Sequence, residues 1–386
     1  MNIKSRAILI SLSFAGFLVS CSPQEEVYRL ALAVPLTGDI AAMGLGMKRG
    51  ADLAVEEVNK QGRFGRVIEL KAFDDRADPK EAVNVANQIV SDNNIAAVIG
   101  HFNSGCSIPA AQVYARKDLL MITPGATNPK LTLQQLEPAW KWNKVIFRVN
   151  TTDDVQGQIS ANFLFKKFKL KSVAIVHDKT PYGQGLAEEF KKQFETNGGT
   201  VLSFDGISVG DKDFKALITR IKTRRPQALF FGGIYNEGGL LIRQARELGL
   251  NSAFLSGDAL QTNEFLKLAG ESAEGSYITN VGVPPEKIPS AQAFLEKFKA
   301  KYPGVDIQPY DHYSYEATMI ALLALEKAGI TQGSKDFNRL KMIEFMKALR
   351  YDGVLGQTEF DEKGDTKNKA ITVYKVQSGK FIPQDF

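Results

Sequence analysis

Ser104 stands three residues after His101 in the loop 100–107 (GHFNSGCS). A hydroxyl near an imidazole is the pair from which a hydrolase makes its nucleophile, so Ser104 is a candidate for ester or amide cleavage. The loop lacks the G-x-S-x-G elbow that presents such a serine above a sheet. His177 and His312 complete the histidines, and none sits in an HExxH or similar spacing, so no catalytic zinc set is expected. Gly44-x-Gly46-x-x-x-Gly50 follows an apolar run, but its third glycine is one residue late for a dinucleotide fingerprint, and no GxxxxGK[ST] occurs. Cys106 reads as a small buried residue before it reads as a nucleophile. The expectation is a protein without cofactor, metal or catalytic residues.

Binding without chemistry fits the remaining polar residues. A zwitterionic α-amino acid needs hydroxyls and unengaged N–H groups for its carboxylate, and an anion for its ammonium. Ser104 and the turn Gly125-Ala126-Thr127 offer the first. Asp258 or Asp153 offers the second. Each alone is more often a cap or turn residue. Their weight comes from where the elements around them must put them.

Those elements alternate. The apolar runs 28–34, 67–73, 95–99, 119–122 and 145–149 read as strands. Between them, helical patterns run over about 47–59 and 79–91 and from the 100–107 loop to Arg116. The rhythm repeats from 145–149 onward, with further strands at 172–176, 200–204 and 228–231 and helices at 155–168, 185–197, 214–223 and 239–248. The tail adds helices near 291–301, 314–328 and 337–349 and strands at 358–360 and 370–376. Strands apolar throughout, alternating with helices, predict parallel sheets covered on both faces. The fold class is therefore α/β, with two doubly wound Rossmann-like domains. Ligands of such sheets sit beyond the carboxyl ends of the strands, which is where the loops holding Ser104, Thr127, Asp153, Tyr182, Tyr235 and Asp258 fall.

The first twenty-one residues carry a separate message. Lys4 and Arg6 precede an apolar run from Ala7 to Val19, too short to span a bilayer. Leu18-Val19-Ser20-Cys21 then has the form of a lipobox, which predicts cleavage before Cys21 and a lipid on it. The formal charge of +5 falls to +3 when Lys4 and Arg6 leave, too weak and dispersed to imply nucleic acid. Of two cysteines only Cys106 then remains, so no internal disulfide is possible and the core must stabilise the chain alone.

From Tyr28 onward the chain resembles the leucine/isoleucine/valine-binding proteins of ABC transporters, the type I periplasmic binding protein fold. The stretches that carry the resemblance are 33–38 (AVPLTG), 74–87 (DDRADPKEAVNVAN), 98–101 (VIGH), 124–129 (PGATNP), 177–187 (HDKTPYGQGLA), 239–249 and 360–366 (FDEKGDT). The resemblance implies two lobes joined by a hinge, 27–151 with 282–368 and 152–281 with 369–386. It implies that Ser104 and Thr127 hold the amino acid's carboxylate and ammonium, with Ala126 or its neighbour contributing backbone. Tyr182 and Tyr235 would close over the ligand from the second lobe, Asp258 would pair with the ammonium, and Asp153 would sit on the hinge side. Met43, Phe102 and Tyr310 would line the side-chain pocket.

Three departures qualify this. Met43 replaces a frequent tryptophan, Asp258 is one methylene shorter than the usual glutamate, and a disulfide found in relatives has Ala77 and Asn103 in place of its cysteines. The implied protein is a monomeric extracytoplasmic lipoprotein that delivers a neutral amino acid to a permease and its ATPase. A sensor of the same fold and a serine hydrolase are the alternatives.

Overall fold

The computed structural model describes residues 27–330 and 337–385. Cys21 and the signal segment lie outside the described residues. The first sheet holds β1 (Tyr28–Val34), β2 (Ile68–Asp74), β3 (Ile95–Gly100), β4 (Leu120–Thr123) and β5 (Ile146–Arg148) in the order β2-β1-β3-β4-β5. Every pair in it is parallel. Helices α1 (Ala41–Lys60), α2 (Pro79–Ser91), α3 (Ser104–Ala115) and the single turn α4 (Lys130–Leu133) connect the strands. β3 and β4 are buried along their whole length, as strands covered on both faces must be.

After β5 the chain leaves this sheet and repeats the pattern. Helix α5 (Asp153–Asn162) leads into β6 (Ser172–His177), α6 (Pro181–Thr196), β7 (Thr200–Gly206), α7 (Lys215–Thr223) and β8 (Ala228–Gly232). Then come α8 (Tyr235–Glu247), β9 (Ala253–Ser256), α9 (Asn263–Ala269) and β10 (Tyr277–Val281). Its parallel strands run β7-β6-β8-β9-β10, the same order as the first sheet. The chain next crosses back. It adds α10 (Gln292–Lys301), α11 (Asp311–Ala324), α12 (Arg339–Lys347) and a hairpin of β11 (Arg350–Gly353) and β12 (Gly356–Glu359). It crosses a third time to supply β13 (Ile371–Gln377) and β14 (Lys380–Gln384), which extend the second sheet antiparallel beyond β10. The crossovers are stitched together: the Gly282 N–H donates to Ala370 O at 2.8 Å, and the Thr366 N–H to Arg148 O at 2.9 Å.

Local sequence sets the helix starts. Pro79 opens α2 behind Asp78, whose carboxylate accepts from the N–H groups of Lys80 and Glu81. Pro181 opens α6 behind Thr180, whose hydroxyl accepts from the Gly183 N–H at 3.0 Å. One expectation fails at α1, which begins six residues before Met47. Gly44, Gly46 and Gly50 do not break it. A Cβ on Gly44 would strike the Pro35 carbonyl, and on Gly46 or Gly50 it would strike Asp311. Gly44 lets the helix approach the segment after β1, Gly46 and Gly50 let it approach the first residue of α11, and tertiary contact overrides their poor helix propensity. The strands at 253–256, 277–281, 350–353 and 380–384 are additions that the apolar runs did not delimit.

Candidate functional site

Helix α3 starts directly after the loop that follows β3, with Ser104 as its first residue and Asn103 before it. No side chain caps it, so its positive end is available to an anion. Ser104 is buried, and its Oγ accepts the Asn128 N–H at 3.2 Å. The N–H groups of Ser104 and Gly105 have no acceptor among the described residues. Thr127, in the loop after β4, is also buried, and among the described residues its hydroxyl has no partner in full hydrogen-bond geometry, although it lies close enough to Asp153 to act on that carboxyl.

That loop is held from behind. Thr123 Oγ1 donates to His101 O at 2.8 Å and accepts the Ala126 N–H at 3.0 Å. The fully buried Arg148 donates Nη1 to the carbonyls of Ala126 and Asn128, 2.9 Å each, and Nη2 to Thr132 Oγ1 at 2.7 Å. Both backbone polar groups of Ala126 are thus spent inside the first lobe. The expectation that Ala126 offers backbone to a ligand narrows to its neighbour Thr127, whose N–H has no protein acceptor among the described residues.

His101 is occupied as well. Its Nδ1 lies 2.6 Å from Asp75 Oδ2 and its Nε2 lies 2.9 Å from the Tyr114 hydroxyl, all three side chains buried. No ring nitrogen remains to activate Ser104, so the hydrolase alternative lacks its base. Burial pushes the Cys106 thiol up, away from the reactive thiolate.

Two carboxylates face the same space. Asp258 follows β9 and is buried. Its Oδ1 accepts from the Tyr182 hydroxyl at 2.9 Å, and its Oδ2 accepts from the Tyr310 hydroxyl. Tyr182 comes from α6, whereas Tyr310 precedes α11, so the contact joins the two lobes. Asp153 opens α5. Its N–H donates to Thr127 O at 3.0 Å, and both carboxylate oxygens are sealed from solvent without a partner in hydrogen-bond geometry. Burial, and then the charge of Asp258, hold the Asp153 carboxyl well above the ordinary aspartate range, against the pull of Thr127 and Arg148. Burial also raises Asp258, against hydrogen bonds from Tyr310 and Tyr182.

The apolar residues gather beside these groups. Phe102 meets Tyr310 edge to face, with centroids 5.2 Å apart, and Met43 is buried in the same apolar cluster. Tyr235 belongs to that cluster but not to the Asp258 contact. Its hydroxyl donates across the lobes to Asp39 O at 2.7 Å. Asn128 makes a second crossing contact, from its Nδ2 to Pro181 O at 2.5 Å. A separate recess of about 540 Å³, lined in part by Gln261, Asn280, His312 and Tyr374, includes none of the predicted site residues.

Sequence reasoning missed Arg148, Asn128 and Gln156, whose Nε2 donates to Thr279 O at 3.1 Å. Arg148 had a signal, since it is the lone charge at the end of the apolar strand 145–149. Asn128 and Gln156 had none, because their partners lie far away in sequence.

Among the described residues no helix is long and apolar enough to cross a membrane. The profile of the periplasmic binding protein family matches residues 27–380. A Leu/Ile/Val-binding protein homolog of Brucella melitensis is 39% identical over 355 residues, 91% of this chain and 90% of that protein. A leucine-, isoleucine-, valine-, threonine- and alanine-binding protein of Pseudomonas aeruginosa is 36% identical, over 95% of this chain and 94% of its own length. Among solved structures, the leucine-binding protein LivK of Thermotoga maritima superposes with a TM-score of 0.83 at 31% identity, covering 93% of this chain and 98% of its own. LivJ of Streptococcus pneumoniae, in complex with isoleucine, gives 0.79 at 26% identity, covering 93% and 100%. This chain, with its two lobes of type I topology, belongs to the periplasmic binding protein family.

Proposed function

We propose that this protein is an extracytoplasmic, lipid-anchored and monomeric substrate-binding subunit of an ABC importer. It captures a neutral, branched-chain aliphatic amino acid between lobes 27–151 with 282–368 and 152–281 with 369–386. One observation carries this reading. The uncapped start of α3, with Ser104 and Thr127, supplies unengaged donors, and the buried Asp258, close enough to act on the charge of Asp153 beside Thr127, supplies an anion. Donors for a carboxylate together with an anion for an ammonium suit a zwitterion. The ligand's carboxylate would take the unengaged N–H groups of Ser104, Gly105 and Thr127 together with the Thr127 hydroxyl. Its ammonium would take Asp258, displacing the hydroxyl of Tyr310 or Tyr182.

The aliphatic preference follows from Met43, Phe102 and Tyr310, since no lysine or arginine stands among the assigned pocket residues to pair with an acidic side chain. The relatives named for leucine, isoleucine and valine support the same class. Tyr235 and Asn128 would hold the closed form through their bonds to Asp39 O and Pro181 O, and the ligand would favour that form by binding it better than the open one. Cys21 would carry the lipid, and a permease with its ATPase would take the ligand. A thermal-shift screen of the twenty amino acids, with native mass spectrometry of co-purified ligand, tests this. Stabilisation by leucine, isoleucine or valine is expected. A response to glutamate or lysine alone would remove the aliphatic pocket.

A further inference from the structure

All strands of the first sheet are parallel, so the segments entering them share one end of the lobe, opposite the site. They are 61–67, 92–94, 116–119 and 141–145, and the chain itself enters there at Tyr28. Side chains tie these segments together. Asn143 Nδ2 donates to Asp118 Oδ1 at 2.8 Å, Arg29 reaches Asp92, and Arg339 donates to Lys117 O and Ile95 O.

The composition of this end is unusual for the molecule. It holds both tryptophans of the chain, Trp140 and Trp142, packed edge to face 5.2 Å apart. The Arg116 guanidinium lies 5.4 Å over the ring of Trp142, which is itself 37% exposed. Val67 and Leu340 are exposed nearby. The cations free to face outward are Arg116, Lys117, Lys141 and Lys144, whereas Arg63 is paired with Glu326 and Arg339 is turned onto the carbonyls of Lys117 and Ile95. Most of the acids are engaged: Asp92 is paired with Arg29 and Lys71, Glu69 with Arg29 and Glu326 with Arg63, Asp118 accepts from Asn143, and Glu137 is exposed. An exposed indole under a guanidinium, on a face that carries further basic side chains, is the composition of a protein face at a lipid headgroup layer.

We propose that this end of the first lobe rests on an anionic bilayer, with Trp142 in the interfacial layer and the cations against lipid phosphates. The proposal rests on the lipid-anchor reading. Cys21 precedes Tyr28 by seven residues, a reach of at most about 25 Å, so an acyl chain on Cys21 holds this end, and not the cleft, next to the membrane. Each cation near an anionic surface strengthens binding severalfold.

The two tryptophans make the test direct, because all indole emission comes from this end. The full processed lipoprotein is reconstituted into phosphatidylglycerol/phosphatidylethanolamine vesicles with brominated acyl chains, and its intact mass is measured in parallel. The expected results are a blue shift and quenching of emission. In the triple variant Arg116→Glu, Lys141→Glu, Lys144→Glu, quenching should fall by at least about tenfold in apparent partition while the acyl anchor keeps the protein on the vesicles. An acylated wild type whose emission is neither shifted nor quenched overturns the proposal. If the mass shows no acyl group, the anchor reading falls separately. Anionic vesicles at low ionic strength then decide for the surface, quenching supporting it and its absence overturning it.

Discussion

Arg148 and Asp365 form an ion pair 2.7 Å long although 217 positions separate them, and solvent reaches neither charge appreciably. The pair joins the end of β5 to the segment that leads into the third crossover. Through its Nη1, Arg148 also holds the carbonyls of the loop that bears Thr127. Burial raises the Asp365 carboxyl, but the charge and hydrogen bond of Arg148 outweigh it and the net shift is downward.

Asp365→Asn removes the charge that compensates Arg148 without changing volume. Leaving one member of a buried pair unmatched costs roughly 3–5 kcal/mol. The midpoint of urea unfolding of the ligand-free protein should fall accordingly. A midpoint equal to wild type would mean the pair is idle.

Asp258→Asn should weaken amino-acid binding by about two to three decades in Kd, on the same magnitude for an unmatched buried charge. Ser104→Ala and Thr127→Ala should each cost less, since a hydrogen bond to a charged group contributes roughly 1.5–3 kcal/mol. Calorimetry that finds Asp258→Asn unimpaired removes Asp258 from the ammonium site.

Tyr235→Phe deletes the 2.7 Å bond to Asp39 O across the lobes. A neutral hydrogen bond contributes about 0.5–1.5 kcal/mol net, so Kd should rise roughly two- to tenfold. Small-angle scattering should show wild-type compaction at saturating ligand. A variant with wild-type affinity would show that this contact does not stabilise closure.

Glu316 is buried in α11 and accepts from the Val354 N–H at 2.8 Å and the Thr358 hydroxyl at 2.7 Å. Burial pushes its carboxyl up to about 7, against these bonds, from an ordinary value of 4.5. Between those values the folded chain holds the proton more tightly than the unfolded chain. The favourable contribution is therefore complete below about 4.5 and is lost as pH rises through 7. The loss is roughly 3 kcal/mol at most. Chemical denaturation of ligand-free wild type should show stability declining from pH 5 to pH 8, and Glu316→Gln should flatten that decline. Identical slopes would assign it elsewhere; Asp311, which burial raises to about 7, is the next group to examine.

The repeated alternation of apolar strands and helices was legible from residue order, because a strand buried on both faces leaves an unbroken apolar run. The proposed position of the site rests on the same order, because parallel strands send all their exit loops to one end. Ser104, Thr127, Asp153, Tyr182 and Asp258 could be proposed on that ground and on resemblance. Residue order did not reveal which of their polar groups were already spent. Ala126 lost both backbone groups to Thr123 and Arg148, and His101 lost both ring nitrogens to Asp75 and Tyr114. It started the first helix at about 47, past Gly44 and Gly46, since only the approach of Pro35 and Asp311 explains glycines inside a helix. The bonds of Tyr310 to Asp258 and Tyr235 to Asp39 join residues 52 and 196 positions apart. Local propensity carries no trace of such pairs. They exist because three chain crossings bring loops and helix starts of two separately wound sheets together, and only that packing decides which hydroxyl meets which carboxylate.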